Sequence, residues 1–206
     1  MFRLRHFLEQ SWLLIVSAFC FGLLLAATEY ALAPTIRQNR IDKLNRLAKG
    51  LLPEAEHFLE VAGKIEIEGR RGRKEQITVY KAIADADKCV GWSFTVGGSG
   101  FEDRIELVVA VDAAFEKLAG YDVLVSNETP GFGDQIKHDY YRSQFKGAPV
   151  GRLELKTTGD ASKIDSEIIA TSGATISSEA VVEILNDSVV QIKERLIKQG
   201  LIGNGG

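Results

Sequence analysis

The sequence predicts an α+β protein, with one N-terminal transmembrane helix followed by a single domain built on a largely antiparallel sheet with flanking helices. Three observations predict it. Residues 11–33 form a long apolar run, residues 64–128 alternate in the two-residue rhythm of strands, and the residues after Thr175 repeat apolar side chains at helical spacing. Several strands in succession with helices outside them favour an α+β layout over a strictly alternating one. The expected division is a tail at 1–10, the transmembrane helix at 11–33, a helical stalk or entry segment at 34–63, the folded domain at 64–200 and a flexible tail at 201–206.

The apolar run is the clearest physical signal. No charge occurs from Trp12 to Ala27, and the apolar character continues to Ala33 with Glu29 as the one charged interruption. At ~1.5 Å per residue, a run of roughly 20 residues crosses a hydrocarbon core of about 30 Å. Trp12 at one end, and Tyr30 and Pro34 at the other, suit the membrane interface. A cleavable signal peptide is the competing reading, because Ala31-Leu32-Ala33 resembles a small-x-small cleavage site. The run exceeds the ~7–15 residue apolar core of such peptides, which favours a retained anchor. A lipoprotein signal is weaker, since Phe19 precedes Cys20 where a small residue is needed. Arg3 and Arg5 lie before the run and Arg37, Arg40 and Lys43 after it, so charge bias does not decide the topology.

Ile36 to Leu52 carries Leu44, Leu47 and Leu51 on one stripe and reads as a helix leaving the membrane, with Pro53 ending it. A further short helix is expected at Glu54 to Val61. Strands follow at Ile65–Ile67, around Ile77–Lys81, at Gly91–Val96, Ile105–Val111 and Leu118–Val125, rich in β-branched and aromatic residues. Gly97-Gly98-Ser99-Gly100 reads as a turn. Pro130-Gly131 forces another turn, and Gly133 lets backbone pass close to a flat ligand. Asp139 to Lys146 reads as a short helix, and Gly151 to Thr157 as a returning strand. The last helix keeps Val181, Leu185, Val189, Ile192 and Leu196 on one core-facing stripe, with Gly200 at its C-terminal cap.

Composition excludes several function classes. The chain has 206 residues, 45% apolar and 26% charged, with a formal net charge of -3. That balance, without basic runs interleaved with aromatics, offers nothing for nucleic acid. The three histidines, His6, His57 and His138, are not spaced as metal ligands, so no metal site is expected. Cys20 lies in the apolar run and Cys89 far from it, which argues against an intrachain disulfide. No G-x-S-x-G pattern occurs, and a hydrolase using Thr175 or Ser172 would lack a base. No catalytic acid–base pair is expected.

The stretch with most chemistry in it is Ala170-Thr171-Ser172-Gly173-Ala174-Thr175-Ile176-Ser177-Ser178-Glu179. Small residues leave its backbone open to close approach, and Thr175 stands where a helix begins. A helix start presents unpaired N–H groups and a partial positive charge, which suits a phosphate. Ser177 and Ser178 are equally suited to helix capping.

Two segments together carry a family likeness. Ser172-Gly173-Ala174-Thr175-Ile176-Ser177-Ser178 resembles the S/T-G-A-T-x-T/S motif of FMN-binding domains, found in the G subunit of the Rnf electron-transport complex and the C subunit of the sodium-pumping NADH:quinone reductase. Glu128-Thr129-Pro130-Gly131-Phe132-Gly133 resembles the E-T-P-G-L-G loop of the same family, with Phe132 in place of leucine. Gln144-Phe145-Lys146-Gly147 is similar to the family's next segment, and the single span and total length resemble the Rnf G subunit.

The resemblance implies that residues 64–200 are an FMN-binding domain and that FMN is joined by a phosphoester to the Thr175 hydroxyl, attached by a separate flavin transferase. Ser172 and Ser177 would donate hydrogen bonds to the phosphate. The Gly131–Gly133 backbone with Phe132 would lie against the isoalloxazine, and Glu128 or Thr129 would orient the loop or the ring. Gly173 and Ala174 complete the turn. The implied role is an electron-carrying subunit in an ion-translocating membrane complex, working with the complex's other subunits rather than as a stand-alone enzyme. The implied location is the bacterial cytoplasmic membrane, single-pass, with the domain on the periplasmic or outer side. One departure stands out: Ile169 occupies a position where the family usually has an aspartate, and the nearest acids are Asp165 and Glu167. The alternatives are an FMN domain of another membrane reductase or regulatory system, and an anchored assembly module that has lost flavin.

Overall fold

The computed structural model describes residues 2–61, 63–69, 73–85 and 88–203. It falls into two compact units, Met1–Lys43 and Leu44–Gly206. Helix α1 runs Phe2–Leu51 and contains Pro34. The apolar run and the segment after it are thus one helix. Proline lacks the N–H for one helical bond, and the surrounding good helix formers carry the backbone through it. The apolar side chains of the first unit stand open, among them Leu14, Phe19, Phe21 and Leu25. Within the apolar run the hydroxyls of Ser17 and Thr28 donate to the carbonyls of Leu14 and Leu24, so neither needs water. The helix is long and apolar enough, by length and composition, to cross a membrane.

The second unit is built on a five-stranded antiparallel sheet in the order β1-β4-β5-β6-β7. Its strands are β1 (His57–Glu60), β4 (Val79–Ile83), β5 (Cys89–Ser99), β6 (Arg104–Asp112) and β7 (Leu118–Val125). A hairpin of β2 (Ile65–Gly69) and β3 (Arg73–Ile77) stands apart from it, as does a short parallel pair, β8 (Glu154–Lys156) and β9 (Glu167–Ile169). Helices α2 (Asp139–Arg142) and α3 (Thr175–Lys198) complete the fold.

Strand β6 explains why the sheet is central. Ile105, Leu107, Val109 and Val111 face one core, shared with Val181, Leu185, Val189, Ile192 and Leu196 of α3. The alternate residues Val108 and Ala110 face the other side, where Leu44, Leu47, Ala48, Leu51 and Leu52 cover them. A strand buried on both faces reads as an almost continuous apolar run, as this one does. The C-terminus of α3 closes with Gly200 N–H on the Ile197 carbonyl and Leu201 N–H on that of Leu196, the paired bonds of a Schellman motif.

Four local expectations change. The helix expected at Glu54–Val61 is instead β1, paired residue by residue with β4, because an exposed sheet edge offers Phe58 and its neighbours better pairing than an isolated turn of helix. Alternation around Ile77–Lys81 is divided at Thr78 between two sheets. Gly97 and Gly98 extend β5 opposite Glu106 and Ile105, and the turn falls at residues 100–103. Glycine at 98 admits α3: an added Cβ would stand 2.6 Å from Cγ1 of Ile184. Finally, residues 201 and 202 are pinned, Ile202 being buried in the main core, while 204–206 lie outside the described residues.

Candidate functional site

Three pieces of chain converge at one end of the sheet: the β5–β6 turn, the loop after β7, and the start of α3. Between them lies a cleft of about 350 Å³ lined by Phe101, Thr129, Phe132, Gly133 and the run Gly173–Ser177. Of the residues expected at the site, Thr129, Phe132, Gly133, Gly173, Ala174, Thr175 and Ser177 are brought together here. Ser172, Glu128 and Gly131 are not among the lining residues; Glu128 is buried behind them and bonded to Ser177, and Ser172 and Gly131 are exposed.

The helix start is built as a donor surface. Ala174 takes the N-cap position with no side-chain cap, and no acidic residue occupies the first turn. The first helical bond runs from Ser178 N–H to the Ala174 carbonyl at 2.8 Å, so the N–H groups of the first turn have no acceptor within the helix. Thr175 is exposed, while Ala174 behind it is buried. Gly173 adopts φ +79°, and the turn is tied by Ala174 N–H on the Thr171 carbonyl at 2.9 Å. Ser178, fully buried, accepts a bond from Thr171 N–H at 3.3 Å through its hydroxyl. Ser178 therefore braces the preceding loop and does not cap the helix.

Glu128 organises the interior. It is 3% exposed, and its carboxylate accepts the Ser177 hydroxyl at 2.5 Å and the Glu102 N–H at 3.1 Å. Both oxygens thus serve the protein, tying the loop after β7 to α3 and to the β5–β6 turn. The Ser177 hydroxyl, expected to reach a phosphate, is turned to Glu128; only its backbone N–H remains at the helix start. Gly133 fits between these groups, since an added Cβ would lie 2.6 Å from Glu128 Oε2 and 2.7 Å from Ser177 Oγ. Gly131, at φ +79°, donates its N–H to Asp134 at 2.7 Å, and the backbone after it winds into a 3-10 turn, Gly133–Lys137. Phe132 is left 61% exposed on the cleft side, where it is 3.8 Å from the place a Gly173 Cβ would occupy.

Two supports were legible only as a family segment or not at all. Gln144, 4% exposed, donates to the Ile169 carbonyl at 3.1 Å and accepts from the Ile169 N–H at 2.8 Å. It pins β9 just before the Ser172 turn. Tyr141 is fully buried and donates to the Ser178 carbonyl at 2.9 Å; burial holds its phenol well above the ordinary range. Phe101 carries no motif and emerges only from the fold. At Ile169 the side chain packs toward Gly159, and Asp165 is occupied elsewhere, paired with Lys163 at 2.5 Å and accepting Glu167 N–H at 2.7 Å. The hydrogen bond from Lys163 holds the Asp165 carboxyl below its usual value.

The cleft suits a flat, mainly apolar ring system with an anionic end. Its lining carries no charged side chain, its walls are aromatic, and its donors gather at one helix start. Comparison with known proteins agrees. The model of the FMN-binding domain matches residues 100–190, which span the β5–β6 turn, both motif segments and most of α3. The chain is 28% identical over 167 residues to the G subunit of the ion-translocating oxidoreductase complex of Methanosarcina acetivorans, covering 81% of this chain and 84% of the relative. It is 30% identical over 154 residues to the protein of the same name from Shewanella loihica, covering 71% of each. In fold it is similar to the C subunit of the Na(+)-translocating NADH-quinone reductase of Parabacteroides distasonis, with a TM-score of 0.57 and 18% identity over 77% of this chain and 94% of that one. The chain belongs to the FMN-binding domain family and is a distant homologue of the G subunits of ion-translocating oxidoreductase complexes.

Proposed function

We propose that the chain is a membrane-anchored electron carrier in which FMN is joined to the Thr175 hydroxyl through a phosphoester. One observation carries the reading: an exposed threonine hydroxyl stands at an uncapped helix start, at the edge of an uncharged, aromatic-walled cleft. A phosphate esterified on both sides carries a single negative charge, which the helix start alone can balance. The chain's residues divide the work. The first-turn N–H groups of α3 hold the phosphate oxygens, Phe132 and the Gly133 backbone bound the ring, and Glu128 fixes the spacing between those two ends. When bound, the flavin supplies the redox chemistry, and the protein sets its position and potential.

The relatives named as subunits of ion-translocating oxidoreductase complexes support a place among other subunits of such a complex; in this reading a separate flavin transferase loads the cofactor. The apolar part of α1 supports a single-pass anchor at 11–33, and the domain at 64–200 is read as the cofactor carrier, on the periplasmic or outer side. A second reading, an anchored module without flavin, draws on Ile169 alone.

Both are separated by expressing the full chain with and without a flavin transferase. The expected outcome is flavin fluorescence that survives denaturation on a gel, with the matching intact mass, and its disappearance in Thr175→Ala. A chain that stays colourless beside an active transferase rejects the carrier and leaves the assembly module.

A further inference from the structure

The cleft has a wall that neither motif supplies. Phe101 lies in the β5–β6 turn, remote in sequence from Phe132 and Thr175, yet it lines the same cleft. It is 62% exposed, close to the 61% of Phe132. A phenylalanine left so open in a loosely held loop would mean little. The turn that carries Phe101 is instead held from several sides. Gly100 N–H donates to the Asp103 carbonyl at 2.8 Å, and the Asp103 carboxylate accepts Arg104 N–H and the Asn127 side chain, each at 2.7 Å. Directly after Phe101, Glu102 N–H donates to Glu128 at 3.1 Å. Gly100 lies flush against the same carboxylate, leaving no room there for a Cβ. The other oxygen of Glu128 takes the Ser177 hydroxyl of α3. One buried carboxylate therefore sets the Phe101 turn and the helix start in fixed relation.

We infer that Phe101 is a ring-binding residue of the site. Two aromatic side chains from separate loops line one uncharged cleft, and a planar, polarisable ring system is the ligand class that uses both, through apolar burial and aromatic contact. The inference rests on the flavin reading above and extends it: Phe101 touches the ring and not the phosphate, because the phosphate's donors lie at the α3 start. Glu128 is a positioning residue for that wall. Loss of Phe101 consequently weakens every ligand sharing the ring, whether or not it carries a phosphate.

The test uses the full chain in detergent in the Thr175→Ala background, so that binding is reversible, titrated with FMN and with riboflavin. Phe101→Ala is expected to weaken both flavins by the same factor, about tenfold, and to make the bound flavin's fluorescence more open to quenching by iodide. Phe101→Leu, which keeps apolar bulk without the aromatic face, is expected to lose roughly threefold for both. The Phe101 side chain is largely in solvent, and an unchanged unfolding midpoint in Phe101→Ala shows that the domain is intact. Unaltered affinity and unaltered iodide quenching in Phe101→Ala overturn the inference, as does a loss confined to FMN. If the parent Thr175→Ala chain binds FMN and Phe101→Ala matches it, only the ring-wall assignment falls. If the parent binds neither flavin, iodide quenching is compared instead in the transferase-loaded chain with Thr175 intact, where unaltered quenching in Phe101→Ala overturns the inference. A full chain that takes up no flavin even beside an active transferase removes the flavin reading and the inference with it.

Discussion

Glu128 makes three separate loops into one site. Its two oxygens serve Ser177 and Glu102, and almost no accessible surface remains for it to reach a ligand directly. Replacing it by alanine leaves the buried Ser177 hydroxyl and the Glu102 N–H without their acceptor, a loss of about 1–3 kcal/mol. The expected outcome for Glu128→Ala is a lowered unfolding midpoint in urea together with poorer flavin loading. Glu128→Gln should lose less, because the amide carbonyl can accept Glu102 N–H while its NH₂ donates to a rotated Ser177 hydroxyl. At this scale the motif residues gather at or beside one cleft, but the motifs do not name their partners. Glu128, Gly133 and Ser177 could be quoted from the sequence; that the serine hydroxyl meets the carboxylate from a distant part of the chain could not, since only the folded register brings them together. Phe101 lay outside every motif, and its role follows from where β5 turns back.

Among the elements, α3 and β6 were legible for a simple reason: each repeats its apolar positions at its own period over many residues. The short pieces were not. Strand β1 has four residues and an exposed pattern, so pairing with β4 and not its own composition decides its state. The same holds for β8 and β9, of three residues each, which lean on Gln144 and on Asn186 of α3; Asn186 accepts Leu153 N–H at 2.8 Å and donates to its carbonyl at 2.9 Å. Helix α2 meets α3 through Tyr141, and that contact makes a pH prediction. Burial raises the phenol in the folded state, so the unfolded chain gives up its proton first. Stability contributed this way is complete below the ordinary tyrosine value near 10 and is lost as pH climbs through the folded-state value. Tyr121, also buried and raised, acts in the same direction. Alkaline unfolding followed by circular dichroism should begin above about pH 10. Tyr141→Phe should lose about 1 kcal/mol at neutral pH, through the missing bond to the Ser178 carbonyl, yet decline less steeply above that point.

For the whole molecule, the predicted class held because its determinants are coarse: one long apolar helix, a sheet with two covered faces and a terminal amphipathic helix. Boundaries moved where a proline, a glycine pair or a tail was read in isolation. Pro34 lies inside α1, Gly97 and Gly98 inside β5, and Ile202 inside the core. The open apolar side chains of residues 12–25 lead to a direct expectation. The full chain should remain in the membrane pellet after carbonate extraction, and a chain lacking residues 1–34 should leave it; release of the full chain would count against an anchor. The exposure of Thr175 has a further consequence, for the order of biosynthetic events. Its hydroxyl is already at the surface of a domain whose core closes behind Ala174, so nothing in the packing requires the cofactor to be present while the chain folds. Maturation can then follow folding: apo-protein purified from a host without the transferase should accept flavin when enzyme and flavin donor are added later. Loading restricted to nascent chains would mean that this surface is closed before the transferase arrives.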